Sequence, residues 1–468
     1  MPDLDQLRSR LDADLLRLTA EHEVPGASVA VLVDGDVATA TAGVINVRTG
    51  VPVTPDTLFM IQSVTKIITA TLVMQLVDDG RVGLDDPVDR HLPQFRTADR
   101  EMSRRITIRH LLSHTGGFSG DLWAPTTTGP EALRRFVDDL VSNAAQLSAP
   151  GERFSYCNAG FGVLGRLVEV HRELSYEDAL RRHLARPLGV EELAFDADQA
   201  LAFRTAIGHV RPDVDADLRP LRNWAVMPPS NPAAGNQLAM SARGLLEIAR
   251  VHLVGDRGTS TPPVLSAAAA EVMRRPQVGH PAAVGEPTSH GLGWWLEPDG
   301  IVEHGGGGPG VVAMLRMAPS HGVAAVVLTN ADAGGQLVDE LLRPLFADLV
   351  GISSPPALPT PPVDERVVDL RAYVGRFEDR PNRYEVSRDE AARLWLTTIP
   401  QHESLDLAAR AGTVAHTSSQ ELRRAHDDIF VTIDAAGGAT RPVEFLGRDE
   451  QGRAQAFFVG GRATPRVD

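Results

Sequence analysis

Two stretches with a β pattern are separated by a long helical middle, and that order limits the folds open to this chain. Gly26–Val33 (GASVAVLV) is a short β-rich run, Asp34-Gly35 makes a turn, and residues 37–42 continue as a second strand, which together read as a hairpin. From residue 57 to Gly80 the pattern changes to a helical period. From about 81 to 290 helical segments alternate with loops that hold Pro and Gly, and helices are predicted over 131–142, 159–170 and 242–253. The β pattern returns in HGLGWWLEP, GVVAMLRMAP and GVAAVVLTN, and residues 336–350 close this part as a helix. One antiparallel sheet built from both ends, flanked by helices and carrying an inserted all-helical subdomain, buries those faces. The fold class expected is therefore α/β (α+β).

A chain of 468 residues and 50.3 kDa exceeds one ordinary domain. The Pro-rich run GISSPPALPTPPV has no periodicity and reads as a semi-rigid linker. Beyond it YVGRFE, RYEVSR, RLWLTTI, DIFVTIDA and AQAFFVGG alternate apolar and polar residues, the pattern of a small C-terminal antiparallel β-barrel. The expected division is a domain over 1–351, a linker over 352–363 and a β domain over 364–468.

Composition excludes some functions. An apolar fraction of 43% and a charged fraction of 23% are those of a soluble globular protein. A net charge of −15 argues against nucleic acid and anionic membranes as partners. The one cysteine, Cys157, rules out an internal disulfide. The charged N-terminal segment reads as an amphipathic helix, not a signal peptide, so a cytoplasmic location is the expectation.

The strongest chemical signal is Ser63-Val64-Thr65-Lys66, placed where a loop gives way to a helix. Residues three apart on a helix share a face, so the hydroxyl and the amine lie in contact range. A lysine becomes a general base when burial or nearby cations lower its pKa; arginine stays protonated and cannot do so. Every other basic side chain in this chain, apart from the histidines, is arginine, and Lys66 is the only lysine. A chain so biased would use arginine wherever a positive charge alone is needed, so Lys66 points to a removable proton.

Tyr156-Cys157-Asn158 lies on a loop before a helix. A tyrosine beside a serine–lysine pair exchanges protons with the nucleophile or leaving group, and an asparagine binds a substrate amide or the lysine. Cys157 reads as packing. In His304-Gly305-Gly306-Gly307, at a strand edge, Gly305 and Gly306 let backbone approach a substrate, and the Gly307 and Ser63 N–H groups are candidates for an oxyanion hole. His304 is a candidate partner for the tyrosine or a substrate carboxylate. Trp123, in the loop 118–128, is a candidate pocket wall. His110 and His114 have the i, i+4 spacing of a metal pair without a third ligand pattern, so no metal and no cofactor is expected. No G-x-S-x-G occurs, which argues against an α/β-hydrolase.

S-x-x-K, Y-x-N and H-x-G in this order resemble the class C β-lactamase and penicillin-binding-protein-like serine hydrolase superfamily. The stretches ITIRHLLSHTGG, PGERFSYCNAGFGVLG, NPAAGNQLAMSARGLLEIA and HGLGWW are similar too. The C-terminal segment resembles lipocalin-like domains appended to some members. The resemblance implies that Ser63 is acylated, that Lys66 and Tyr156 share the acid–base work, and that Asn158 holds Lys66 and the substrate amide. It also implies that His304 replaces the lysine of K-T-G, as in the esterase and peptidase branches. Three functions stay open: hydrolysis of an ester or amide in a small molecule or short peptide, acyl transfer to an amine or alcohol, and non-catalytic binding. Oligomeric state is open, with a homo-oligomer as one option.

Overall fold

The computed structural model describes residues 4–213, 215–253, 263–280, 288–352, 360–361 and 370–468. Residues 353–359 and 362–363 of the expected linker lie outside them. Strand Gly26–Val33 is buried along its whole length because both sheet faces are covered. Ala30 and Leu32 face the helical middle, whereas Val29 and Val31 face the terminal helices. The sheet order runs Asp36–Gly43, Gly26–Val33, Val323–Thr329, Val311–Ala318, Val302–Gly308, then three two-residue strands ending at Val278–Gly279, all antiparallel. Val29 sits opposite Val327 on one side and Ala40 on the other, so the two ends of this part of the chain meet in one sheet.

Helix Leu4–Glu21 buries Leu7, Leu11, Leu15 and Leu18, a stripe at helical spacing, in the same core as helix Gly334–Val350. On the opposite face, helix Thr65–Asp78 is buried at every position from Thr65 to Leu76 and packs against helix Asn158–Arg172. The predicted helix over 131–142 is present as short α, π and 3₁₀ turns in succession. The helical period read from residue 57 begins later. Phe59–Met60 is a strand paired with Ala239–Met240, because its apolar residues meet that strand before the chain turns.

Residues 375–465 form an eight-stranded antiparallel sheet in sequence order. A bridge between Phe377 and Arg466 and a Val467 N–H bond to the Arg376 carbonyl (2.9 Å) bring its two edges together as a barrel. Phe377, Phe430, Phe445 and Phe457 fill the interior. Strands Ser418–His426, Ala439–Arg448 and Arg462–Pro465 went unread in the sequence, as did helix His402–Ala411, whose Ala411 and Leu407 pack on Val210 and Leu221 of the first part. No helix among the described residues is long and apolar enough to cross a membrane.

Candidate active site

The chain leaves Met60 and enters a short 3₁₀ turn, Gln62–Val64, that runs straight into helix Thr65–Asp78. Gln62 holds a φ of +47°, a left-handed conformation costing a residue with a Cβ about 1 kcal/mol or more. Such strain persists where the surroundings over-determine it. Two glycines do that here. A Cβ on Gly235 would lie 1.9 Å from the Gln62 carbonyl oxygen, and one on Gly306 would lie 2.2 Å from that of Ile61. Backbone therefore presses on this turn from two sides.

Lys66 is fully buried one turn further on. Its Nζ donates to Ser63 Oγ at 3.0 Å and to the Ala234 carbonyl at 2.9 Å. Burial, and then the Arg462 guanidinium, hold its pKa well below the ordinary lysine value, while Asp121 and Cys157 oppose them. Tyr156, at the end of the loop before helix Asn158–Arg172, hydrogen-bonds Ser63 through its hydroxyl. Burial pushes its pKa up, so it stays a phenol, although the Ser63 bond and Arg462 act the other way. Its ring stacks on His114 at 4.3 Å, and Lys66 Nζ lies 4.9 Å from its centroid.

Asn158 is placed differently from what the resemblance implied. Its Nδ2 donates to Asp121 Oδ1 at 2.6 Å, and it is the Ala234 carbonyl that holds Lys66. His304 is buried in the strand, and its Nδ1 donates to the Gly305 carbonyl at 2.7 Å. Burial, and then Lys66, push its pKa down to about 3, so it is a neutral imidazole. Its ring lies 6.1 Å from that of Tyr156. His110 and His114 do not converge. The former accepts the Thr107 N–H at 3.2 Å as part of a capping box, and the latter accepts the Cys157 N–H at 2.9 Å. Burial pushes the Cys157 thiol up to about 12, and its Sγ accepts from the Gly160 N–H.

A cleft of about 320 Å³ opens over this group. Ser63, Tyr156, His304 and Gly305 line it, together with Trp295, Glu303, which pairs with Arg316, and, from the barrel, Gly460 and Arg462. Gly306, Gly307 and Trp123 are not among its walls. Gly306 packs on Ile61, and Trp123 sits partly buried two residues beyond Asp121. Sequence reasoning missed Asp121, Arg462 and the role of Trp295. Trp295 stood in a noted stretch, HGLGWW, and Asp121 in the noted loop. Arg462 carries no local signal in an arginine-rich chain.

The family model described as beta-lactamase matches residues 11–347. The chain belongs to the β-lactamase family. Within it, the chain is 39% identical over 375 residues to "Penicillin-binding protein 4" of Amycolatopsis lactamdurans, spanning 79% of this chain and 96% of that one. The solved structure of SurE with D-Leu is 29% identical with a TM-score of 0.77, covering 98% of this chain and 99% of that one. The octameric penicillin-binding protein homologue from Pyrococcus abyssi, 24% identical with a TM-score of 0.64, covers 97% and 99%. Both structural likenesses extend over the barrel, which the family model does not reach.

Proposed function

We propose that this β-lactamase-family chain is a serine hydrolase that forms an acyl-enzyme at Ser63 and cleaves an ester or amide bond in a small molecule or short peptide. The observation that carries the reading is a wholly buried Lys66 amine 3.0 Å from the Ser63 hydroxyl. Environments that push two groups' pKa values apart assign the acid and the base. With Lys66 lowered and Tyr156 raised, the amine takes the Ser63 proton and the phenol supplies one to the leaving group. Ser63 Oγ bonds to the carbonyl carbon, the leaving group departs protonated, and water then releases the acid. In this reading Asn158 and His304 are substrate-facing partners, and the Ser63 N–H receives the oxyanion, since Gly307 stands outside the cleft wall. Position 304 offers no cation and Arg462 is engaged by Asp121, so esters, amides and peptides form the proposed substrate class, not penicillins.

A second reading, acyl transfer to an amine, is favoured by the full-length likeness to SurE, whose structure was solved with D-Leu, and by barrel residues walling the cleft. Intact-mass spectrometry of wild type and Ser63→Ala against an ester, an amide and a β-lactam, with and without D-leucine, tests both. The hydrolase reading expects an acyl adduct on the wild type alone and free acid as product. An N-acyl leucine product selects the second reading, and an adduct that persists in Ser63→Ala removes both.

A further inference from the structure

One wall of the cleft comes from a hairpin near the far end of the chain. Strands Ala454–Val459 and Arg462–Pro465 meet at Gly460-Gly461. The Tyr156 N–H donates to the Gly461 carbonyl at 2.8 Å, and the Ala463 N–H donates to Ser155 Oγ at 3.1 Å. Phe458 and Ala463 share a small core with Phe154 and Tyr156. This seating delivers Arg462 to Asp121, whose side chain is only 9% exposed. Both Nε and Nη2 donate to the carboxylate, the latter at 3.2 Å, and Asn158 Nδ2 donates to the same carboxylate at 2.6 Å. The guanidinium lies 5.1 Å from the Tyr156 ring centroid, so Arg462 and Lys66 both stand against one ring.

We propose that Asp121 and Arg462 are a positioning pair shared by the two parts of the chain, in which Arg462 balances a carboxylate that orients Asn158 and would otherwise stand unpaired beside Lys66. The proposal rests on the reading of Ser63 and Lys66 given above. A nearly buried carboxylate without a counter-charge is costly, and a nearby anion favours the ammonium form of a lysine. Ser63, the Ala234 carbonyl and the Tyr156 ring lie against Lys66, and Cys157, His114, His304, Asp121 and Arg462 interact with it through charge. The two histidines are held neutral by burial, the thiol and the phenol keep their protons, and so Asp121 and Arg462 are the charged groups of this set. They act on Lys66 with opposite sign. The proton affinity of Lys66 is therefore tied to whether the barrel is docked.

The test is the pH dependence of p-nitrophenyl acetate cleavage by the full chain and its variants. Arg462→Met leaves Asp121 unpaired, so Lys66 keeps its proton to higher pH and the acidic limb moves up by about one unit. Asp121→Asn leaves the cation alone and moves the limb down. The double variant returns it toward wild type, and Arg462→Lys holds it near wild type. Limbs that stay put in both single variants, whether the rates fall or not, overturn the pair. Circular dichroism and melting check folding, and should Arg462→Met not fold, the near-isosteric Asp121→Asn decides. A wild type that no fluorophosphonate labels at Ser63 would instead overturn the hydrolase reading, and the pair with it.

Discussion

Two turns face each other across the cleft, and they are held in different ways. The turn Gln62–Val64 is fixed by backbone: a left-handed Gln62, two glycine-bearing segments pressed on its carbonyls, and a helix buried behind it. The barrel turn that carries Arg462 is held by one backbone hydrogen bond, a bond to the Ser155 hydroxyl, a four-residue apolar contact and an ion pair. Backbone packing has few ways to rearrange, whereas side-chain contacts separate at modest cost. The difference points to a division of labour, with bond-making on the over-determined side and adjustment of the site on the other.

The sharpest way to break that comparison is on the first turn. Ser63→Ala and Lys66→Arg are expected to lower ester cleavage by about a thousandfold or more, since the first removes the nucleophile and the second substitutes a base that keeps its proton. Burst kinetics and intact mass measure this. Next, Gly235→Ala drives a Cβ to 1.9 Å from the Gln62 carbonyl and is expected to cost about a hundredfold in turnover without touching any reacting group. On the barrel side the expected effect is smaller. Phe458→Ala, in the shared core, should lower kcat/KM about tenfold, whereas Val443→Ala, buried in the barrel alone, should lower the melting temperature and leave the rate intact. Phe458→Ala silencing the enzyme as fully as Ser63→Ala would erase the distinction between the turns.

A last effect concerns acid and is read on stability, not on rate. His114, His252, His290 and His304 are buried, and desolvation lowers each pKa. The unfolded chain takes up protons below the ordinary histidine pKa of about 6.5 while the folded one does not, so stability is intact above that pH and lost as pH falls below it. Urea unfolding at pH 7.5 and 5.5 should show a loss on the order of 1 kcal/mol for each such histidine. These four buried histidines all lie in the β-lactamase-like part, so the acid-sensitive transition should belong to it. A barrel that unfolds first in acid would contradict this.

Much of the fold was legible because its signals are local. The hairpin at Gly26 carries a continuous β-rich run closed by a turn, and the Leu7–Leu18 stripe and the closing helix carry a helical periodicity that burial explains. Phe59–Met60 and His402–Ala411 were misread or missed because their partners, Ala239–Met240 and the Val210–Leu221 surface, lie far off in sequence. At the site, Ser63 and Lys66 were readable because three positions on a helix bring them together. Asp121 was not, because an acidic residue in a loop has no meaning until Arg462 arrives beside it.

The sequence by itself determined the helix that pairs Ser63 with the only lysine, the sheet built from both chain ends, and the membership those motifs announce. Only the tertiary structure decided what surrounds that lysine. Burial, the Ala234 carbonyl, Asp121 and an arginine near the far end of the chain come from segments that spacing cannot relate. The physical reason is that a pKa responds to charge and solvent within a few ångströms of space. Chain neighbours supply only part of what lies that close.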